Sequence, residues 1–330
     1  MPSPSIWRAL RAVFDITVLG LAATSAVAGL AAQGGRWNDR LDLLTHFAPV
    51  WLAGGLASLL FAGAIRRGRR RMAATGLALS AIAAAAVLIL GGIPRQAHPS
   101  QVRPAARAWK VIEFNAWEGS GDAARVAHWL ASEAPDIAII LEPPPALSDE
   151  IARTTDLHVF QSEGVLFATR NALLSTRVGW ELHDLPGIYV QLIGVQLPGP
   201  DGKALNVFGA HFGRPIPARH ARAQFERLIA VLRTQDHARV LLAGDFNSTP
   251  WSFRHRSVEA SLAIDRRDRM ALTWPTHLPA QGAGGFLVPF LAIDHVYAGT
   301  SWRTVSTSLG PRFDSDHLPL VVNLAWDPPR

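Results

Sequence analysis

Three long apolar runs occupy the first hundred residues and limit what this chain can fold into more than any other feature. They are residues 16–35, 43–65 and 72–94, and none contains Asp, Glu, Lys or Arg. Each reaches the roughly 20 residues that a helix needs to cross a bilayer. All three are rich in Gly and Ala, which let membrane helices pack closely. The sequence therefore predicts a membrane anchor of three transmembrane helices over residues 1–94. Buried helices of a soluble protein explain the short charged loops between the runs less well.

Arginine placement predicts the orientation of this anchor. The loop between the second and third runs contains five Arg between Arg66 and Arg71, and Arg8 and Arg11 precede the first run. Basic loops stay cytoplasmic, so the third helix should lead outward and everything after about Pro94 should be extracytoplasmic. A cleaved signal peptide is an alternative for the first run, because GLAAQ offers small residues, but it leaves the C-terminal part on the same side. Asp15 is expected to pair with Arg11 at the interface.

The charge balance differs sharply between the two parts of the chain. The whole chain has a net charge of +6, but residues 1–100 contain ten Arg and three acids, a net +7, and residues 101–330 carry −1. Binding to a nucleic-acid backbone relies on many Lys and Arg, so the C-terminal part is not a generally basic nucleic-acid clamp. The chain has no Cys, which excludes disulfides, thiolate nucleophiles and zinc–thiolate sites.

The remaining sequence alternates apolar strands with a few amphipathic helices. Residues 95–107 contain prolines and are predicted to be a linker, and residues 108–330 a separate domain. Hydrophobic patterning predicts helices at 121–133 and 217–233, and strands at 109–115, 136–142, 164–169, 188–197, 204–211, 238–244, 292–298 and 319–325. Many strands with few helices indicate an α+β fold with stacked sheets.

Polar side chains stand at or beside the ends of six of these strands. They are Asn115, Glu142, His211, the pair Asp245 and Asn247, Asp294, and the pair Asp316 and His317. Strand ends are rigid and open to loops, so such side chains can converge on a ligand. Taken singly, Glu142 is as well explained as a solvated carboxylate, Asn115 as a turn residue and His211 as a core histidine.

Two motifs are more specific. In GDFNSTP, Asp245 and Asn247 project to the same side of an extended segment and set an acceptor beside a donor, which suits a water next to a phosphate. In SDH, His317 can be held in one tautomer by a carboxylate, for which Asp294 is the natural partner. The alternatives are an Asp/Asn turn and a structural ion pair. His295 should point to the opposite face of its strand and is interpreted as structural.

The order Asn, Glu, His, Asp-x-Asn, Asp, Asp-His over about residues 108–326 resembles the endonuclease/exonuclease/phosphatase (DNase I-like) superfamily. With three apolar runs ahead of it and with TWP before IDH, the chain resembles the membrane-anchored type exemplified by the teicoplanin-resistance membrane protein. The resemblance implies a four-layer α/β sandwich of two stacked, mostly antiparallel sheets with outer helices.

The resemblance also implies a mechanism of phosphoester or phosphoanhydride hydrolysis. Glu142, with Asn115 nearby and Asp316 as a further candidate, would bind Mg²⁺ or Mn²⁺. Asp245 would activate water, Asn247 and His211 would contact the phosphoryl oxygens, and His317, polarised by Asp294, would stabilise the transition state. Two features depart from the pattern: Glu118 is the nearest candidate for an extra acid near Asn115, and His211 has no evident acidic partner.

Three functions remain open from the sequence. The first is a membrane-anchored phosphoesterase on the outer side of the cytoplasmic membrane, acting on an envelope lipid or its headgroup. The second is an extracytoplasmic nuclease, for which two arginine groups offer local patches: Arg214, Arg219 and Arg222, and Arg254, Arg256, Arg266, Arg267 and Arg269. The third is an inactive binding module. The expected partners are the bilayer and a phosphorylated substrate, lipid-linked or nucleic acid; no obligate protein partner is inferred.

The segment GGFLVPFL, residues 284–291, bears on this choice. One interpretation is a loop at the rim of the site that touches the bilayer through Phe286 and Phe290. The other is a connection into the strand at 292–298 that packs on the core.

Overall fold

The computed structural model describes residues 3–93, 107–176, 190–277 and 286–327, which divide into two compact units. The first unit is Met1–Ile93 with Pro250–Arg256, and the second is Pro94–Thr249 with Ser257–Arg330. Apart from Arg107, the predicted linker 95–107 lies outside the described residues, as do the first two residues of the strand predicted at 188–197.

The first unit is helical. It contains α1 (Pro4–Gln33), the short α2 (Asp39–Asp42), α3 (Ala48–Ala62) and α4 (Gly68–Gly91), with 3₁₀ turns at Gly34–Arg36 and Leu43–Phe47. Three helical stretches are long and apolar enough to cross a membrane: Ser5–Arg36, Asp39–Ala62 and Gly68–Gly91. Asn38 caps α2, because its side chain accepts the backbone N–H of Arg40 at 2.9 Å.

Small residues face inward in this unit and large apolar residues face outward. The buried helix positions include Ala22, Ala26, Ala78, Ala81 and Ala85, whereas exposed positions include Leu10, Val27, Leu60, Leu79 and Leu90. A bundle in water would do the reverse, because burial of large apolar side chains stabilises it most. Close packing through small residues with an apolar exterior is typical of helices in lipid.

Asp15 pairs with a different arginine from the one expected. Its carboxylate lies 3.4 Å from Arg70, in the first turn of α4. Arg70 is on another helix, so the contact joins two helices rather than two turns of α1.

The segment Pro250–Arg256 is held in the first unit by a buried carboxylate. Asp42 accepts hydrogen bonds from Ser252 Oγ (2.7 Å) and from the backbone N–H of Phe253 (2.9 Å). Arg254 pairs with Asp39 and lies 3.6 Å from Asp42. Two further hydrogen bonds join Trp251 to the carbonyl of His46 and Arg256 to that of Leu88. Residues that follow the GDFNST stretch are thus an integral part of the helical unit.

The second unit contains two sheets. The first consists of β1 (Ala108–Asn115), β2 (Ile137–Leu141), β3 (His158–Ser162), β4 (Val165–Thr169), β10 (Trp302–Leu309) and β11 (Leu320–Trp326), in the order β10-β11-β1-β2-β4-β3. The second consists of β5 (Val190–Pro198), β6 (Ala204–Phe212), β7 (Val240–Asp245), β8 (Ile264–Arg266) and β9 (Asp294–Gly299), in the order β5-β6-β7-β9-β8. Pairs β1/β2 and β6/β7 are parallel and the other pairs are antiparallel.

Side-chain alternation along the strands builds the layers. Inward residues of both sheets, such as Val111 and Ile139 from the first and Val207 and Leu241 from the second, form one continuous core. The outward faces pack on the helices α5 (Ala123–Glu133) and α6 (Leu147–Thr154) on one side, and α7 (Ala218–Leu232) and α8 (Phe253–Ser261) on the other. This confirms the predicted α+β sandwich of two stacked, mostly antiparallel sheets with outer helices.

Candidate active site

Strand register brings the predicted polar residues to one end of the sandwich. In the first sheet Asn115 is paired with Leu141, so Glu142 follows directly beside it. In the second sheet Asp245 is paired with His211 on one side and with Asp294 on the other, so these three lie side by side. The two sheets face each other, and the groups therefore meet across their ends.

These side chains line one pocket of about 600 Å³. It contains all the predicted site residues except Asp294, which lies behind His317: Asn115, Glu142, His211, Asp245, Asn247, Asp316 and His317. The wall is completed by residues that the sequence did not assign to the site: Trp117, Phe212, Gly213, Arg214, Trp274 and His277. TWP stands out in the sequence as a motif, but nothing in the sequence places it or its neighbours at the pocket.

Three pocket residues hold left-handed backbone conformations. The φ angles are 54° for Trp117, 45° for Glu142 and 48° for Asn247. Asn tolerates this region, but Trp and Glu adopt it at a cost of about 1–2 kcal/mol. Such strain concentrates where a side chain must be aimed at a ligand, and here it turns Glu142 out of the line of its buried strand.

His317 is held as a cation by Asp294. Its Nδ1 lies 2.8 Å from Asp294 Oδ2, and both residues are buried. Burial alone lowers the pKa of His317, but the charge and hydrogen bond of Asp294, with Asp245 and Asp316 adding, raise it to about 10. The Nε2 atom points toward the pocket, 3.8 Å from Asp245 Oδ2 and 3.9 Å from Asp316 Oδ1. A positive N–H group is therefore available to a substrate oxygen.

Asp245 stands at the centre of the site. It accepts hydrogen bonds from the backbone N–H of Asn247 (2.8 Å) and from Asn115 Nδ2 (3.2 Å), and Asn247 Nδ2 lies at 3.3 Å. Burial and repulsion from Asp294 raise its pKa to about 7, although His317 and these donors oppose the shift. A carboxyl group poised near neutrality can take a proton from water. The Asn247 amide also donates to the carbonyl of Phe212 at 2.8 Å, which fixes its orientation.

His211 is neutral, whereas His317 is a cation. Burial and repulsion from the His317 cation lower its pKa to about 4. Its Nε2 lies 3.3 Å from Glu142 Oε1 and 4.0 Å from Asp245 Oδ2. The acidic neighbours that the sequence did not reveal are thus Glu142 and Asp245. Glu118 is exposed and is not among the pocket residues.

Glu142 and Asn115 fit a divalent cation. Glu142 Oε1 lies 3.3 Å from Asn115 Nδ2, so the two side chains adjoin in the pocket. The Glu142 side chain is 30% exposed and opens to the pocket. Among the described residues no Lys or Arg pairs with it, and neutral His211 leaves its charge uncompensated. Carboxylate and amide oxygens with room for water are the donors that Mg²⁺ and Mn²⁺ prefer.

Asp316 lies on the other side of His317 and is held by an indole. Trp274 Nε1 donates to Asp316 Oδ2 at 2.8 Å. Asp245, Asp294 and His317 form a second group whose ligand atoms lie within 4.8 Å of one another. The His317 cation balances this buried group, whereas Glu142 has no cationic partner in the described part of the chain.

His295 is part of the scaffold, as its strand position indicates. Its Nδ1 lies 2.6 Å from Asp268 Oδ2 and its Nε2 lies 2.9 Å from the carbonyl of Ser248, and both side chains are completely buried. It therefore anchors the loop that carries Asn247.

Glu113 is also fully buried, and burial with repulsion from Asp294 and Asp245 raises its pKa well above the usual range.

A family model described as the Endonuclease/Exonuclease/phosphatase family matches residues 112–317, more than half of the chain. The chain belongs to this family. Members of the Endonuclease/Exonuclease/phosphatase family are phosphoester hydrolases that generally depend on a divalent metal, and this chain is a hydrolase of that family with N-terminal apolar helices. The match lies within the 108–326 region that carries the motifs, so the superfamily resemblance is confirmed.

Solved structures confirm the fold. An endonuclease/exonuclease/phosphatase from Beutenbergia cavernae is 19% identical with a TM-score of 0.51, and the match covers 67% of this chain and 72% of that one. A functionally unknown protein from Enterococcus faecalis is 17% identical with a TM-score of 0.53, covering 66% and 100%. D. rerio TDP2, solved with a single-strand DNA product, is 14% identical with a TM-score of 0.52, covering 66% and 98%.

No curated protein matches this chain. The likeness to the teicoplanin-resistance type therefore rests on the sequence and stays a prediction.

Proposed function

We propose that this protein is a membrane-anchored, divalent-metal-dependent phosphoesterase that acts on an envelope lipid or its headgroup. The observation that carries the proposal is one pocket in which the His317 cation faces Asp245. Glu142 opens to the same space and, among the described residues, pairs with neutral His211 but with no Lys or Arg. Around one phosphoryl group, His317 would supply a positively charged hydrogen-bond donor and Asp245 a base. The Glu142 carboxylate would supply a binding site for a cation.

Asp245 accepts a proton from water in this mechanism, and the water oxygen bonds to phosphorus as the phosphorus–oxygen bond of the leaving group breaks. The His317 Nε2–H donates to a phosphoryl oxygen, where negative charge grows in the transition state. Asn247 and neutral His211 provide further hydrogen bonds. Glu142 with Asn115 would hold the divalent ion, which would supply charge neutralisation to the phosphate. Asp316 takes a supporting role as a water or metal ligand.

The nuclease alternative is less well supported, because several arginines of its larger group serve structural contacts. Arg266 and Arg267 are buried, the latter donating to the carbonyls of Ala298 and Gly299. Arg254 and Arg256 are engaged within the helical unit. These side chains are therefore not free to bind a nucleic-acid backbone.

The proposed test is a hydrolysis screen of the full chain in detergent. Lipid pyrophosphates, phospholipids and plasmid DNA are each assayed with Mg²⁺, with Mn²⁺ and with chelator, and His317→Ala is the control. Metal-dependent release of phosphate or headgroup from a lipid, absent in the control, is the expected result. Rapid plasmid cleavage with no lipid turnover would establish the nuclease instead, and full activity of His317→Ala would overturn the catalytic assignment.

We also propose that the pocket faces outward. The support is the five-arginine loop at residues 66–71 and the pairing of Arg70 with Asp15 at that end of the helices. The chain has no Cys, so single cysteines can report the side directly. With a membrane-impermeant maleimide on intact cells, Glu226→Cys should be labelled and Arg69→Cys should not; the reverse pattern would refute the orientation.

A further inference from the structure

A short exposed segment beside the pocket carries three apolar side chains on one side. Phe286, Val288 and Phe290 are 71%, 69% and 48% exposed, whereas Leu287 and Pro289 between them are partly or fully buried. This period of two is that of an extended segment, whose alternate side chains point the same way. We call these three residues the apolar ridge.

Backbone hydrogen bonds fix the apolar ridge to the pocket wall. The N–H of Leu287 donates to the carbonyl of Thr276 at 2.6 Å, and the N–H of Phe290 donates to that of Trp274 at 3.0 Å. Trp274 and His277 line the pocket, so the ridge adjoins its mouth. Trp117, which also lines the pocket, is a further exposed aromatic residue there.

Arg312 contacts the apolar ridge through its guanidinium face and donates hydrogen bonds to the backbone beside it. Its guanidinium lies 4.4 Å from the ring centre of Phe286 and donates to the carbonyls of Thr276 (2.9 Å) and Leu287 (2.6 Å). The ridge is thus held in place, with a positive charge at its base. Apolar side chains projecting over a cation match a lipid surface, in which anionic headgroups lie outside the acyl region.

We infer that the apolar ridge docks on the lipid bilayer and brings the pocket mouth to lipid headgroups. Rigid, adjacent and exposed aromatic side chains mark a contact surface. A bilayer is the partner that the chain itself indicates, because it carries three helices long and apolar enough to span one. Docking of the ridge adds to the proposed function, and the identification of a lipid as the substrate rests on that proposed function.

Depth-dependent quenching tests this docking without relying on activity. Val288→Cys provides a unique label site in a chain without Cys and retains both phenylalanines. The full chain carries the fluorophore NBD at this site, in nanodiscs of phosphatidylcholine and phosphatidylglycerol with doxyl-labelled phosphatidylcholine. The control carries NBD at Glu226→Cys, an exposed position on α7.

The ridge label should be quenched strongly by the doxyl lipid, and adding Phe286→Ser with Phe290→Ser should lower its quenching to that of the Glu226 control. Equal quenching of the two labels in the parent chain would overturn the inference; a label that is shielded but not quenched would instead indicate contact with protein or a second copy. Unchanged melting temperature and unchanged hydrolysis of a soluble chromogenic phosphodiester confirm that the Ser variant is folded. If the ridge label is quenched but no lipid is hydrolysed, the docking stands and the proposed lipid substrate fails.

Discussion

Replacing Asp294 by Asn removes the charge that holds His317 as a cation while keeping an oxygen for its hydrogen bond. The pKa of His317 is raised from 6.5 to about 10. At about 1.4 kcal/mol per pKa unit, the cation is stabilised by roughly 5 kcal/mol net, which is what the carboxylates leave after they offset the cost of burial. Asp294 provides the largest of these attractions. We therefore expect Asp294→Asn to lower kcat by about 10²- to 10³-fold, as the loss of one transition-state donor does.

The chain offers a matched control one residue further on. His295 pairs with Asp268 at 2.6 Å in equally complete burial, but neither lines the pocket. Asp268→Asn should destabilise the fold by about 3–5 kcal/mol, since it breaks a buried pair, and should leave kcat of the folded protein within a few-fold. Burial raises the pKa of Asp268, but His295 and Arg266 together bring it below the usual range. The stabilisation by the Asp268 carboxylate is therefore fully present above its unfolded pKa of about 4 and is lost as the pH falls through its lower folded pKa. The stabilities of the parent protein and Asp268→Asn should accordingly converge in acid.

The assay compares kcat and melting temperature for both variants with the substrate that the screen identifies. Loss of kcat in Asp294→Asn alone supports the reasoning. Unchanged kcat in Asp294→Asn, or an equal loss of kcat in both variants at matched folded fraction, would refute it, because burial rather than position would then explain the effect.

Three further outcomes follow from the contacts. Glu142→Gln should raise the metal concentration needed for half-maximal activity by more than about tenfold, measured by activity and by calorimetry, because an amide binds divalent ions weakly; an unchanged metal requirement would remove Glu142 as a ligand. Gly244→Ala should prevent folding, seen as loss of the melting transition, because the added methyl group would overlap the Ala210 carbonyl on the neighbouring strand. Asp42→Asn should lower the free energy of unfolding of the helical unit by about 1–3 kcal/mol, since it weakens the buried bonds to Ser252 and Phe253. The longer pair of Asp15 with Arg70, at 3.4 Å and with an arginine 37% exposed, serves as its control, and an equal effect of Asp15→Asn would contradict the assignment.

The central strands and the edge strand β5 were predictable, whereas the edge strands β3, β8 and β10 were not. Strands β1, β2 and β7 are buried apolar runs, which hydrophobic patterning identifies directly. Strands β3 and β10 are partly exposed edge strands, and β10 is rich in Ser and Thr, so neither has a clear apolar signal. Helix α8 is polar, with FRHR at its start, and its arginines are occupied by contacts that sequence spacing does not reveal.

By itself the sequence determined the three apolar N-terminal helices, the family and the chemical groups at the strand ends, because these depend on residue type and on local periodicity. Tertiary structure decided how those groups act. The pairing of Asp245 with both His211 and Asp294 comes from strand register. Burial and the nearby charges make His211 neutral and His317 a cation. Exposure of Phe286 and Phe290, which the sequence left undecided, depends on which side of an extended segment meets the core. Burial, register and electrostatic environment are properties of the folded chain, and no short stretch of sequence contains them.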